Sequence, residues 1–172
     1  KGCFKVGLYK QGLLHDMSKY SPTEFWVGAK YYQGTRSPNN AEREDIGYSS
    51  AWLHHKGRNK HHYEYWIDYS MQALPGGMAP VPMPDKYIAE MIMDRIAASK
   101  VYMGGEYTDR SPLDYYYQGT DRAPIHPETK TKLLYVLEML AEEGEEKTFR
   151  FIKEELVQHK RCMDWHQLEK AE

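Results

Sequence analysis

Apolar residues recur at helical spacing along most of the chain, and signals for helix starts and stops divide this pattern into segments. The pattern indicates helices over residues 3–15, 22–34, 41–55, 61–74, 85–103, 111–118, 127–144 and 149–156. No stretch alternates long enough to predict a strand, and no segment repeats. The sequence therefore predicts an all-α chain: a single domain over residues 1–172 with about six to eight helices.

Local residue choices mark several boundaries of these helices. The segment SPTE at residues 21–24 is a strong start signal, in which Glu24 would close a capping box. Gly57 is the predicted stop of the third helix, and Asn59 the predicted N-cap of the fourth. Residues 75–84 (PGGMAPVPMP) are predicted to be a Pro/Gly-rich loop within the domain, placed as a lid or a rim.

The composition argues against a disordered chain and against nucleic-acid or membrane binding. The chain has 172 residues, 41% of them hydrophobic, with 15 Tyr and 4 Trp, which is too apolar and aromatic for disorder. The net charge of −2 gives no strong field for nucleic acid or an anionic membrane. There is also no run of about 18 apolar residues, so no membrane partner is expected.

Two features of the sequence concern the cellular location of the protein and the beginning of the chain. Cys3 and Cys162 are too far apart to suggest a disulfide framework or a thiolate zinc site, which favours a cytoplasmic location. The chain begins at Lys1 inside an apolar periodic segment, so we expect that it is trimmed at its N-terminus.

Histidine is concentrated in one region. Five of the eight histidines lie between Gly12 and Trp66: a His-Asp dipeptide, followed by two His-His pairs on either side of a turn. Asp94 adds a carboxylate on a mostly apolar helix face, where an unpaired charge would be costly. Imidazole and carboxylate ligands suit Zn, Fe, Mn or Ni. The residues predict a site for a divalent metal ion, with these ligands: His15, Asp16, His55, His62 and Asp94.

Cations near these residues in sequence point to an anionic substrate. Lys19 and Arg58 are expected to hold phosphate, since Arg grips phosphate with two parallel hydrogen bonds. Glu64 completes the candidate catalytic residues, and it is also available, with Asp68, Glu90 and Tyr65, to orient a histidine. A structural alternative remains open: the His-His pairs could be a polar helix end beside a solvated turn, and the Tyr and Trp stripes could be core.

The motif HDMSK at residues 15–19, with the later His-His pairs and the Asp on the following helix, resembles the HD-domain superfamily of metal-dependent phosphohydrolases. HDMSK is similar to the HD-x-G-K run of the HD-GYP cyclic-dinucleotide phosphodiesterases, with Ser18 in place of Gly. The stretch GLLHDMSKYSPTEF…AWLHHKGRNKHHYEYW more closely resembles an uncharacterised, HD-related family of bacterial and phage proteins, a domain of unknown function. This likeness extends from about Gly7 to Leu140 and implies no substrate.

The superfamily resemblance implies an HD-like bundle that holds one or two ions of Mn, Fe, Zn, Co or Ni. Its ligands would be His15, Asp16, His55, His61, His62 and Asp94, with His54 as an alternative to His55. Lys19 matches a lysine near the substrate phosphate. The superfamily's earliest histidine has no counterpart here and is expected upstream of Lys1. The GYP triplet is missing, which argues against cyclic dinucleotides.

Three functions compete. The first is a divalent-metal phosphohydrolase acting on a nucleotide or another small phosphoester through activated water. The second is an HD-fold di-iron oxygenase, which predicts visible absorption from iron and oxygen uptake. The third is a non-catalytic helical binding module whose partner surface includes Met78, Met83 and residues 115–117. A homodimer is compatible with each of the three.

Overall fold

The computed structural model describes residues 1–71, 77–119, 123–160 and 165. Within these ranges the chain forms eight α-helices, and the prediction of a mostly α-helical single domain is confirmed. The helices are α1 (Gly2–Lys5), α2 (Tyr9–Leu14), α3 (Pro22–Tyr31), α4 (Pro38–Ile46), α5 (Ser50–Lys56), α6 (Asp85–Met103), α7 (Ser111–Tyr117) and α8 (Pro127–Phe151).

Shorter elements connect and extend these helices. Three 3-10 helices cover Met17–Tyr20, Tyr63–Trp66 and Gly104–Glu106, and α8 continues as a π-helical segment over Ile152–Val157. Among the described helices, none combines the length and the apolar composition that crossing a bilayer would require.

The core lies around α6, whose bounds match the predicted helix at both ends. This helix packs against α1, α7, α8 and the π-helical segment. Ile88 and Ile92 of α6 are completely buried, and Leu133 and Leu137 of α8 are completely buried in the same apolar cluster. Burying side chains of this size contributes about 1.5–3 kcal/mol each, so α6 is the anchor on which the other elements are placed.

Two predicted helices are each broken into two by a glycine. The predicted helix over residues 3–15 is divided between α1 and α2, with Gly7 at φ +86°. The predicted helix over residues 41–55 begins earlier, at Pro38, and is interrupted at Gly47, which has φ +84°. Glycine adopts this left-handed backbone without a Cβ clash, so the chain turns where helical periodicity alone suggested continuity.

The predicted helix over residues 61–74 is wrong in the part that the structure describes. Here a 3-10 turn is followed by strand β1 (Ile67–Tyr69), which pairs antiparallel with β2 (Met78–Pro80). In the register, Ile67 pairs with Pro80, Asp68 with Ala79 and Tyr69 with Met78. The predicted loop over residues 75–84 therefore contributes a strand, and residues 72–76 lie outside the described part of the chain. Residues 67–69 form a strand because they pair with β2, and the periodicity of the aromatic residues did not predict this pairing.

The helix predicted to stop at Gly144 is interrupted there. Gly144 has φ 79° and ψ 174°, which is not a helical conformation, so α8 consists of two helical segments that join at a kink, and the second segment reaches Phe151. The predicted start at residues 21–24 is confirmed for its N-cap, because Ser21 Oγ accepts a hydrogen bond from the Glu24 backbone N–H at 3.4 Å. The side chain of Glu24 does not close a capping box but hydrogen-bonds two histidines.

Candidate metal centre

The His-Asp dipeptide lies at a sharp turn between α2 and the first 3-10 helix. His15 is the C-cap residue directly after α2, and Asp16 has a left-handed backbone with φ 57° and ψ 21°. On a continuing helix their side chains would point about 100° apart. The turn instead brings both side chains against α6, where His15 Nε2 lies 3.1 Å from Asp94 Oδ1.

Two groups of ligand atoms meet at this turn, and Asp16 and His61 belong to both. The first group is Asp16, His55, His61 and His62, and the second is His15, Asp16, His61 and Asp94. The two oxygens of Asp16 have different neighbours. Its Oδ1 lies 3.3 Å from Nε2 of both His55 and His61, and its Oδ2 lies 3.6 Å from His15 Nε2.

The spacing of these atoms fits an ion. The ligand atoms of each group lie within 4.8 Å of one another. Since Zn–N and Zn–O bonds are about 2.0–2.2 Å long, two ligands on opposite sides of one ion are about 4 Å apart. The distances within the first group are therefore compatible with one bound ion.

Buried polar atoms without hydrogen bonds provide a second indication. Asp16 Oδ1, His61 Nε2 and His62 Nε2 are buried and have no hydrogen-bond partner. A buried donor or acceptor left in this way costs about 1–3 kcal/mol. These three atoms, one from Asp16 and two from the adjacent His61 and His62, belong to one group. An arrangement that is costly as a hydrogen-bond network would be favourable around a cation.

Carboxylates behind the imidazoles fix their orientation. Glu24, on α3, accepts hydrogen bonds from Nδ1 of both His54 and His55, at 2.6 and 2.7 Å. The second carboxylate, Glu90 on α6, lies 3.0 Å from His15 Nδ1 and 3.3 Å from His61 Nδ1. A partner on Nδ1 leaves Nε2 facing the centre, which is the usual arrangement for a metal-binding histidine.

Of the first His-His pair, His55 faces the centre. His55 is buried and its Nε2 approaches Asp16, whereas His54 contacts Glu24. Asn59 is not a helix N-cap, because it hydrogen-bonds Ser18 Oγ and the backbone carbonyl of His55. These contacts tie the turn after α5 to the 3-10 helix that follows Asp16.

The pKa values of His62 and His15 are shifted in opposite directions. Burial disfavours the charged form of His62, and the neighbouring His61 and His55 add to this, so its pKa falls to about 3 and its imidazole is neutral at neutral pH. Burial also opposes charge on His15, but hydrogen bonds to Asp94 and Glu90 outweigh it and raise its pKa to about 10. An ion that uses His15 must therefore displace a proton, whereas His62 needs no such step.

Asp16 remains ionised over the whole physiological range. Burial raises its pKa, but contacts with His55 and His61 and the charge of Lys19 hold that pKa well below its usual range. The Lys19 ammonium lies 2.5 Å from Asp16 Oδ2. A permanently charged carboxylate at the point shared by both groups is a strong ligand for a hard or borderline divalent ion.

An open cavity of about 910 Å³ adjoins the cluster. Its lining includes Asp16, His55, His62 and Asp94 of the cluster, together with other residues of α3, α4, α5, α6 and α7. Several aromatic residues line it: Phe25, Tyr32, Trp52, Tyr102 and Tyr115. The volume lies within the roughly 300–1,000 Å³ of small-molecule sites. A second cavity of about 730 Å³ shares part of this lining and adds Arg95.

The predicted catalytic residues have different placements. Lys19 and Glu64 line the cavity, and Oε2 of Glu64 is buried without a hydrogen bond. Arg58 is exposed, donates to the backbone carbonyl of His54 and is not among the cavity-lining residues. The prediction for Arg58 gains no support from this placement. Arg43, which lies 5.8 Å over the Trp52 ring, is the arginine that lines the cavity beside Lys19.

Sequence reasoning missed Glu24 and Arg43. Nothing in the spacing of Glu24 points to the histidines, and in the sequence its position at the start of a helix indicated a capping box instead. Glu90 was among the proposed histidine partners, because it shares a face of α6 with Asp94. The structural alternative, with the His-His pairs in solvent, is contradicted by the burial of His55 and His61.

The surface predicted for a binding module is only partly exposed. Met78, Tyr115 and Tyr117 are exposed, but Met83 and Tyr116 are buried in the core. Residues 115–117 lie on α7, so successive side chains point in different directions and only two of the three face outward.

Comparison with known proteins identifies one family. The model of the Family of unknown function (DUF5662) matches residues 1–139, which include every residue of the cluster. No curated protein and no solved structure matches the chain. The matched region is most of the 172 residues, so the chain belongs to the DUF5662 family.

Proposed function

We propose that the protein is a divalent-metal-dependent phosphohydrolase that acts on a small phosphoester, such as a nucleotide. The observation that carries the proposal is the meeting of three buried, unsatisfied ligand atoms in one group: Asp16 Oδ1, His61 Nε2 and His62 Nε2. Purely structural polar clusters satisfy their hydrogen bonds internally, so this arrangement favours a ligand site.

A divalent ion bound at this cluster would supply Lewis-acid activation of water for attack on phosphorus. The residues of the chain would position the ligands of the ion and stabilise charge on the substrate. Glu24 and Glu90 hold imidazole rings in place, and the low pKa of Asp16 keeps its carboxylate ionised. Lys19 and Arg43, both lining the cavity, would stabilise negative charge on the phosphoryl oxygens.

The cavity supports a small organic substrate. It is open to solvent, and its lining includes Asp16, His55 and Asp94. Its exposed aromatic walls would hold the remainder of the substrate while the phosphoryl group lies at the cluster. The histidine-rich cluster also suits iron, so the di-iron oxygenase remains the second candidate.

Metal analysis with a hydrolysis screen tests the proposal. The purified protein is dialysed against Mn, Fe, Co, Ni or Zn, its metal content is measured, and phosphate release is followed with nucleoside monophosphates and simple phosphoesters. We expect bound metal and turnover, and Asp16→Asn should lose both while remaining folded. A metal-loaded wild type that is inert toward all phosphoesters would contradict the proposal, and oxygen uptake by the iron form would favour the oxygenase.

Lys30→Met is the matched control for surface charge. Lys30 is exposed, pairs with Asp45 and lies outside the cavity lining. Its loss should leave metal content and turnover unchanged. If Asp16→Asn behaved like this control, the cluster would have no part in catalysis and the binding-module hypothesis would be preferred.

A further inference from the structure

We propose that the centre holds one divalent ion, not two, and that the Lys19 ammonium takes the place of a second cation. The ion would be bound by the first group: Asp16, His55, His61 and His62. The inference deepens the proposed function and rests on it, because it specifies how many ions that function uses.

The two groups differ in the atoms they leave unsatisfied. In the first group, nitrogens of two histidines and an oxygen of Asp16 are buried without hydrogen bonds. In the second group, both ring nitrogens of His15 already have carboxylate partners, Glu90 at 3.0 Å and Asp94 at 3.1 Å. In the first group, an ion would give the unsatisfied atoms partners without displacing a hydrogen bond. In the second group, an ion would displace the hydrogen bonds of His15.

His61 cannot serve both groups. Its Nε2 lies 3.3 Å from Asp16 Oδ1, and its Nδ1 lies 3.3 Å from Glu90 Oε1. Since one imidazole nitrogen binds one ion, the use of Nε2 in the first group leaves the second group without this ligand. That group then keeps three possible ligands, His15, Asp94 and Asp16, so a second ion would depend on the oxygen of Asp16 that the first group does not use.

Lys19 occupies the remaining oxygen of Asp16. Its ammonium contacts Oδ2, the oxygen that faces His15 Nε2 at 3.6 Å. The lysine is held near this point by the backbone, because Lys19 N–H donates to the Asp16 carbonyl at 2.9 Å within the 3-10 turn. The cation therefore lies on the oxygen of Asp16 that a second ion would need.

The number of ions per chain tests the inference. Wild type, Lys19→Arg and Lys19→Met are saturated with Mn or Zn, freed of loose metal by gel filtration, and measured by elemental analysis together with protein concentration. We expect one ion per chain in wild type and in Lys19→Arg, which keeps the cation, and two in Lys19→Met. Circular dichroism confirms that each variant is folded.

The outcomes separate this inference from the proposed function. Two ions per chain in the wild type would overturn the inference while leaving a metal-dependent hydrolase intact. One ion in folded Lys19→Met would also overturn it, because removal of the ammonium would then not open a second site. No bound metal in the wild type would overturn the inference and the proposed function together.

Discussion

Glu24→Gln should weaken metal binding without unfolding the protein. The two oxygens of Glu24 accept hydrogen bonds from Nδ1 of His54 and His55, at 2.6 and 2.7 Å. Glutamine has the same shape but one acceptor oxygen, so one of the two imidazoles must lose its acceptor. If His55 then moves its proton to Nε2, the atom that faces Asp16 can no longer bind an ion.

The expected magnitude follows from these contacts. Loss of a partner that orients a metal-binding histidine typically costs 10–100-fold in affinity. That range corresponds to about 1.4–2.7 kcal/mol. Because Glu24 is buried and both of its contacts are short, we expect a value in the middle of this range, about 30-fold.

Competition titration against a chelator of known affinity measures the effect, with Zn or Mn at pH 7.5. Glu42→Gln provides a matched control. Glu42 is also buried and accepts hydrogen bonds from the hydroxyls of Ser49 and Ser50 at 2.6 Å each, at the start of the helix that carries His54 and His55. This variant should weaken α5 without touching an imidazole, and its metal affinity should stay within about threefold of wild type.

Two results would refute this reasoning. If Glu24→Gln bound metal as tightly as wild type, the carboxylate would not orient His55. If Glu42→Gln lost as much affinity as Glu24→Gln, the effect would come from general loosening of α5 and not from the hydrogen bonds of Glu24.

Three further predictions concern the scaffold. Lys132→Met should lower the free energy of unfolding by about 3 kcal/mol in urea titrations, since it leaves Asp85 and Glu128 without the buried ammonium that lies 2.7 Å from each. Burial raises the pKa of Glu42, but hydrogen bonds from two serine hydroxyls outweigh it and hold that pKa below the usual 4.5, so its stabilising effect is present above pH 4.5 and is lost as the pH falls. Acid titrations of unfolding should therefore show a shallower loss for Glu42→Gln than for wild type. Gly144→Ala should cost about 1–3 kcal/mol, measured by thermal unfolding, because φ 79° with ψ 174° is a backbone conformation reserved for glycine.

Local signals in the sequence were sufficient for several elements. The long apolar periodicity of α6 gave its bounds from Asp85 to Met103, and the serine before Pro22 gave the start of α3. These signals act within one or two turns of helix, so they do not depend on the rest of the fold. The same logic failed at Gly47, where a single positive φ divides one periodic stretch into two helices.

The concentration of histidine and aspartate in one region of the sequence also indicated the candidate ligands, although a polar helix end beside a solvated turn remained an open alternative. Which imidazole of each pair faces inward was not decided by the sequence. His54 and His55 are adjacent and equally suited, and the difference between them depends on how α5 packs against α3 and the turn at Asp16.

By itself, the sequence of this protein determined its helical class, its central helix and the residue types of a candidate metal centre. Only the tertiary structure decided that Glu24 and Glu90 lie behind the imidazoles, that Lys19 contacts Asp16, and that residues 67–69 form a strand. The physical reason is distance along the chain: helix signals act over a few residues, whereas His15 and Glu90 are 75 residues apart and meet only through packing.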